Sequence, residues 1–344
     1  MTRTTCLADL SCELVPLAAA SELSGSILGA VGYSDTEVGP DVHAGYPSMS
    51  MAMTGEGDSG FAEVWRSTGE VVTGYYDGLA FAHDGEHLFC CGQTGAATDY
   101  LAPTEAAYVA ALDLMRQLDY PQLVRMWNMV NGIVDQDAEG GTRYTRFCEG
   151  RGAAFEHCAV ATARMPAATG VGSHAGGVSF YFLAGRTADL THVENPRQVS
   201  AYRYPTRYGV TPPSFARATY LAGGQSGRPA QLFVSGTASI IGSETVHRGD
   251  LGRQCATTLE NIAELISADN LARYGIEADL TLRDMDKVKV YVKPGADMAV
   301  VRRICEATLS SKADVHYANV DMCRDDLLVE MEGVVSDVHP MAKS

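Results

Sequence analysis

The 344-residue sequence has no apolar run approaching the roughly 18 residues of a membrane-spanning helix. Its first twenty residues, MTRTTCLADLSCELVPLAAA, carry Asp9 and Glu13 where a secretory signal needs an unbroken apolar stretch. A cytoplasmic protein with no membrane partner is expected. Basic residues are scarce too: 26 Lys and Arg stand against 42 Asp and Glu, a formal net charge of −16. Nucleic acid and anionic membrane both demand a basic face, so neither is expected as a partner. A small anionic ligand stays compatible, provided that arginines gather locally against the overall field.

The cysteines exclude more. There are nine, Cys6, Cys12, Cys90, Cys91, Cys148, Cys158, Cys255, Cys305 and Cys323. The count is odd, no CxxC occurs, and no His/Cys grouping has zinc-ligand spacing. Free thiols serving as small hydrophobes are expected. No P-loop, HExxH or Ser-His-Asp order is present. MPAATGVGSHAGG (165–177) reads as a glycine-rich loop before a strand, and its third glycine is displaced from the dinucleotide-binding spacing. Close backbone packing is the simpler account of it. His174 and His247 stand alone near turns, where structural roles are commoner than acid–base roles.

What is present is a globular composition, 46% hydrophobic and 20% charged, long enough for one large domain or two ordinary ones. Residues 1–60 read as short strands and loops. A hairpin turning at Asp84-Gly85 spans 78–91, followed by a helix over 102–118 with Thr104 as N-cap. A strand (121–134), a second helix (144–158) and a strand (177–185) complete the first half. The second half gives strand 230–241, helix 250–272, strand 287–294, helix 296–309 and strands 313–320 and 327–333. Strand, helix, strand, helix, strand therefore occurs twice. The expectation is an α+β fold of two halves, 1–195 and 196–344, whose mixed sheets carry helices on one face. An irregular segment rich in Pro, Tyr and Arg, 194–218, joins them.

Three stretches could carry chemistry. The strand within VSGTASIIGSETVHRGDLGRQCATTLENIAELI (234–266) holds Ser235, Gly236, Thr237 and Ser239 where a core would favour Val and Ile. Arg143, Arg146 and Arg151 cluster at the second helix, and Arg203, Arg207 and Arg217 lie in the joining segment, interleaved with Tyr144, Tyr202, Tyr204 and Tyr208. Guanidinium forks bind carboxylates at two points, so this set suggests an anion pocket, the alternative being solvated surface charge. In LLVEMEG, Leu328, Glu330 and Glu332 alternate with Leu327, Val329 and Met331. A solvated face is the commoner setting for such carboxylates. If buried, Glu330 would keep its proton at neutral pH.

The Ser-Gly strand tip, the Gly-Asp helix cap and the late LLVEMEG resemble the YjgF/RidA-like (chorismate-mutase-like) fold family over 230–335. With WNMVNGI, RYTRFCEGR, ENPRQVSAYRYPTRYG, PPSFARA and DLLVEMEG, the chain is further similar to the chorismatases, which cleave chorismate to pyruvate and a ring product. The resemblance implies that Glu330 protonates the enolpyruvyl methylene, with no cofactor or metal. It implies that Arg151, Arg217, Tyr208 and Tyr204 hold the carboxylates of chorismate, and that Ser235-Gly236-Thr237 border the ring. The hydrolytic type, which gives a dihydroxycyclohexadienoate, resembles SAT at the strand tip and Ala before REDLLVE. Gly236 and Cys323 here imply the 3-hydroxybenzoate-forming type instead. YjgF proteins form trimers with sites between subunits. A chain of twice that size is expected to be a monomer, with a trimer as the alternative. The other functional classes kept open are an imine deaminase, for which Lys312 stands where an arginine would be needed, and a non-catalytic ligand-binding protein.

Overall fold

The computed structural model describes residues 9–54, 59–137, 140–161, 164–223 and 228–339. Cys6 lies outside them; the other eight cysteines are free thiols. Three large sheets share one central core. The first contains β1 (Leu10–Pro16), β2 (Ile27–Ser34), β3 (Val38–His43), β4 (Tyr46–Ala52) and β5 (Phe61–Ser67), in the order β1-β5-β2-β4-β3. The second contains β6 (Val72–Tyr76), β7 (Leu79–His83), β8 (His87–Gln93), β9 (Gln122–Asn131), β10 (Ala167–Ser173) and β11 (Val178–Gly185). Helices α1 (Leu101–Leu118) and α2 (Arg143–His157) flank β9 in the chain.

The third sheet contains β12 (Leu190–Val193), β13 (Ala218–Leu221), β14 (Ala230–Ala238), β17 (Lys287–Val292), β18 (Asp314–Asn319) and β19 (Val329–Val338). A two-stranded ribbon, β15 (Ile240–Ile241) with β16 (Glu244–Thr245), leads into α3 (Leu251–Leu265) and α4 (Ala268–Ala272). Helix α5 (Met298–Thr308) joins β17 to β18.

Sheets two and three have the same order, β6-β7-β8-β11-β9-β10 and β12-β13-β14-β19-β17-β18. In each, the fourth and fifth strands in chain order pair in parallel, and the sixth inserts antiparallel between the third and fourth. The expected α+β repeat is thus present down to strand direction. The described residues between 9 and 67 hold more order than their weak periodicity suggests. The run β1-β5-β2-β4 reproduces the third to sixth places of that order, including its single parallel pair, β2 with β4. Where the larger sheets have helices, this one has a 3-10 turn (Leu17–Glu22) and the edge strand β3. Its signal was hidden because β2 is buried along its whole length and shows no alternation.

The helices cover the outer faces of sheets two and three. Tyr108, Met115 and Phe147 pack on Phe180 and Phe182 of β11, and Cys255, Leu259, Ile262 and Val301 pack on β14, β17 and β19. The inner faces of all three sheets meet through Leu14, Val31, Trp65, Trp127, Phe233 and Tyr291. Two element boundaries differ from expectation. Helix α1 starts at Leu101, before Thr104, because the Asp99 carboxylate accepts the Leu101 N–H at 3.0 Å; Thr104 is a buried helical residue. The 250–272 helix breaks at Ser267, whose hydroxyl accepts the Asn270 N–H and starts α4 anew. Asp250 caps α3 as expected, accepting the Arg253 N–H at 3.0 Å. No helix among the described residues is long and apolar enough to cross a membrane.

Candidate active site

Sheets two and three meet where β10 packs on β14, and a cavity of about 780 Å³ opens along this seam. Its walls come from both halves. Tyr144 of α2 with Ala168 and Gly170 of β10 form one side; Gly236 and Ala238 of β14, Glu330 of β19, Cys323 and Arg324 form the other. Tyr204, Tyr208, Phe215 and Arg217 of the joining segment cover it. The stretch read as a glycine-rich loop is therefore largely strand β10. Close packing does account for Gly172, whose N–H donates to Asp321 O at 2.7 Å and whose added Cβ would lie 2.9 Å from that oxygen.

The small residues of β14 have separate tasks. Between Val234 and Thr237 the ladder to β19 shifts register, which frees Ser235 and Gly236 to engage β10. Ser235 Oγ accepts the Ala168 N–H at 2.9 Å and donates to Ala216 O at 2.6 Å. The Gly236 N–H donates to Thr169 Oγ1 at 3.1 Å. Thr237 Oγ1 donates to Ser235 O and Ser239 Oγ to Val246 O, both from buried positions. Of these four residues Gly236 alone lines the cavity. A Cβ added there would collide with Glu330 Oε1 and sit 3.2 Å from Thr169 Cγ2. Glycine is what leaves room for the carboxyl.

Glu330 is 4% exposed, so the solvated-face expectation for LLVEMEG is corrected. Alternation holds, but both faces of β19 are covered: Val329 and Met331 meet the helices while Glu330 and Glu332 point inward. Burial pushes the Glu330 carboxyl up to about 8, the nearby Glu332 charge adds to this, and Arg217 and Arg125 oppose it. Among the described residues no side chain hydrogen-bonds to it. Burial, with the Glu330 charge, raises the Cys323 thiol to about 12, and burial lifts Tyr144 well above the ordinary phenol range. At neutral pH these groups face the cavity uncharged.

Two residues on, Glu332 behaves oppositely. It accepts from Arg125 at 2.6 Å, Trp127 Nε1 at 2.9 Å, Tyr291 at 3.1 Å and the Thr169 hydroxyl, and it pairs with Lys289 at 2.5 Å. Burial alone would raise this carboxyl, yet Lys289 and Arg125 hold it below its usual range. Lys289 also pairs with Glu63 and donates to Tyr33 and Tyr181 at 2.8 and 3.0 Å. Glu63 on β5, Tyr181 on β11 and Glu332 on β19, from the corresponding strand of each sheet, thus converge on one ammonium. None of these groups carries a local motif; apart from Glu332, the partners of Lys289 lie between 108 and 256 residues from it in sequence.

The arginines divide. Arg217 is buried in the cavity wall, its Nη2 donating to Val199 O and the Tyr204 hydroxyl, both at 2.8 Å. Arg151 does not line the cavity: its Nη1 donates to Ser214 O at 2.8 Å, and Phe155 lies 4.6 Å beneath the guanidinium. Thr237 likewise stands behind the wall. Arg146 and Arg207 reach the rim, while Arg143 pairs with Asp135 at 3.4 Å and Arg203 rests on Tyr202, both off the cavity. His174 bonds Asn319 O at 2.6 Å and His247 occupies a turn with φ +56°; neither lines the cavity. Arg324, which does line it, was concealed in the sequence by the flanking Asp325 and Asp326, which make it read as an exposed charge run.

The family model described as chorismatase FkbO/Hyg5-like, N-terminal, matches residues 63–184. The chain is 47% identical over 311 residues to a protein of Streptomyces hygroscopicus named 3-hydroxybenzoate synthase, covering 90% of this chain and 92% of that one. It belongs to the chorismatase family. A chorismatase of Streptomyces rapamycinicus is 43% identical over 321 residues, 92% of this chain and 95% of its own. A crystal structure of a chorismatase superposes with a TM-score of 0.92 at 39% identity, covering 96% of this chain and all of that one. The family fold thus extends over all three sheets, and its members are enzymes.

Proposed function

We propose that this enzyme cleaves chorismate to 3-hydroxybenzoate and pyruvate. The observation that carries the reading is a buried, uncharged carboxylic acid, Glu330, facing a cavity with a buried arginine, Arg217, in its wall. Glu330 gives its proton to the enolpyruvyl methylene, leaving an oxocarbenium ion whose bond to the ring then breaks, the electron pair staying on oxygen as the keto group of pyruvate. Chorismate is an anion, and Arg217 with the Tyr204 and Tyr208 hydroxyls orients it. Arg151 serves from behind the wall by holding Ser214 beside Phe215, and Thr237 by fixing the strand tip. All these groups belong to one chain, which supports a monomer. Pyruvate release from chorismate by the purified protein tests the activity; none above the uncatalysed background would remove it.

The product rests on Gly236 and Cys323. With no side chain at 236, Glu330 lies against the strand tip, and the ring's own C4 hydroxyl substitutes for water. The sum is chorismate going to pyruvate and 3-hydroxybenzoate with no net water, and aromatisation drives it. The alternative is the hydrolytic product, 3,4-dihydroxycyclohexa-1,5-diene-1-carboxylate. An alanine at 236 must displace the Glu330 carboxyl, so Gly236→Ala combined with Cys323→Ala is expected to shift product toward this diol. Chromatography of the ring products from reactions in ¹⁸O-water checks it. Unlabelled 3-hydroxybenzoate as sole product of the double variant would show that these positions do not steer the outcome.

A further inference from the structure

In the proposed reaction Glu330 must deliver a proton to one carbon atom. Among the described residues no side chain hydrogen-bonds to it, so packing has to aim its carboxyl. The surface it packs against is the Gly236 backbone: a Cβ added there would collide with Glu330 Oε1 and would lie 3.2 Å from Thr169 Cγ2. Whatever fixes the Gly236 backbone therefore fixes the acid. Strand β14 leaves the β19 ladder between Val234 and Thr237, so its peptide groups need other partners there. The Ser235 N–H donates to Arg217 O at 2.9 Å, and Ser235 O accepts from Thr237 Oγ1 at 2.9 Å. The remaining two groups turn to sheet two. Val234 O accepts from Arg125 Nη2 at 3.2 Å, and the Gly236 N–H donates to Thr169 Oγ1 at 3.1 Å.

Thr169 is buried, and its hydroxyl has a full set of partners. Its one proton goes to Glu332 Oε2, and its two lone pairs accept from Arg125 Nη2 at 2.6 Å and from Gly236. Arg125 Nη2 reaches the same Glu332 oxygen at 2.6 Å, while Trp127, Tyr291 and Lys289 hold the other. The Thr169 backbone is anchored as well, its O accepting from Asn128 Nδ2 at 2.8 Å. A hydroxyl bonded on both sides of a buried ion pair cannot turn, so one oxygen atom ties the β14 tip to the network that joins the three sheets. We propose that Thr169 is a positioning residue for the proton transfer: anchored by Glu332 and Arg125, its hydroxyl holds the Gly236 backbone against the Glu330 carboxyl and so aims the acid at the bound methylene. This deepens the chorismate reading and rests on Glu330 as the donor.

The test measures turnover of chorismate and, separately, calorimetric binding of an uncleavable analogue, 3-(1-carboxyethoxy)benzoate. Thr169→Val removes the hydroxyl at nearly constant size. It is expected to lower kcat about tenfold or more and to leave analogue binding within about twofold, because orientation is lost and affinity is not. Thr169→Ser keeps the hydroxyl and is expected to recover most of that loss. In a Glu330→Gln background no acid remains to be aimed, so adding Thr169→Val should lower the residual turnover by no more than about twofold. Thr169→Ala takes the place of the valine form in every arm if the latter does not fold. Unchanged kcat without the hydroxyl, equal losses in kcat and analogue affinity, no recovery in Thr169→Ser, or the full loss repeated in the Glu330→Gln background would overturn the assignment. No pyruvate from the unaltered enzyme, or full turnover by Glu330→Gln alone, would instead overturn the reading on which it rests.

Discussion

Glu330→Gln is expected to lower turnover of chorismate by roughly 10²-fold or more, the usual contribution of a positioned general acid. Glutamine preserves volume and removes the transferable proton. Among the described residues no side chain hydrogen-bonds to Glu330, so little structural cost accompanies the change, and binding of an uncleavable analogue of chorismate should persist. The pH dependence follows from the same group. Burial pushes its carboxyl up to about 8, so the protonated form that the proposed donor role requires is complete well below that pH and is lost as pH rises through it. The unaltered enzyme should therefore lose turnover on the alkaline side, with a midpoint near 8, and the glutamine variant should show no such limb. Full activity in Glu330→Gln, or an acid limb in place of an alkaline one, would exclude Glu330 as the donor.

Lys289→Met should destabilise the fold by about 3–5 kcal/mol, the range for removing one partner from a buried ionic network. Lys289 is 6% exposed and stands between Glu63 and Glu332, themselves 1% exposed. Glu332 would keep Arg125, but Glu63 would be left a buried carboxylate with only the neutral donors Tyr33, Tyr181 and Trp65. The midpoint of thermal unfolding should fall by several degrees or more. Adding Glu63→Gln should recover much of the loss, because the stranded charge goes with it. Scanning calorimetry of the single and double variants checks both statements. A methionine variant as stable as the parent, or a double variant worse than the single, would show that the three sheets do not depend on this network.

Much of the fold was legible because its causes are local. The Asp250 cap of α3 and the alternation through LLVEMEG are short-range patterns, and they placed the repeated elements and the strand that bears Glu330. The resemblance carried by the strand tip and the 194–218 segment pointed to the family and to Arg217, Tyr204, Tyr208, Gly236 and Cys323, all of which line the cavity. Where an element is buried on both sides, local pattern fails. Strand β2 lost its alternation, and with it the first sheet lost its signature; β10 read as a loop because its glycines and alanines serve close approach by another strand.

The sequence by itself determined which residue types were available: an acid inside an apolar strand, arginines in an acidic chain, and a glycine where a strand should have bulk. Only the tertiary structure decided what each became. Glu330 and Glu332 share a strand and a face, yet one is an uncharged acid at a cavity and the other a paired carboxylate in the core. The difference is made by Arg125, Lys289 and Thr169, which other strands bring into direct contact with the Glu332 carboxylate, while none of them bonds to Glu330. Likewise Arg146 and Arg324 look alike in the sequence. Asp99 and Glu149 neutralise the first, and the second faces a cavity under the Tyr208 ring with no carboxylate paired to it among the described residues. A side chain's charge state depends on its dielectric surroundings and on partners far away in the chain, and folding alone sets both.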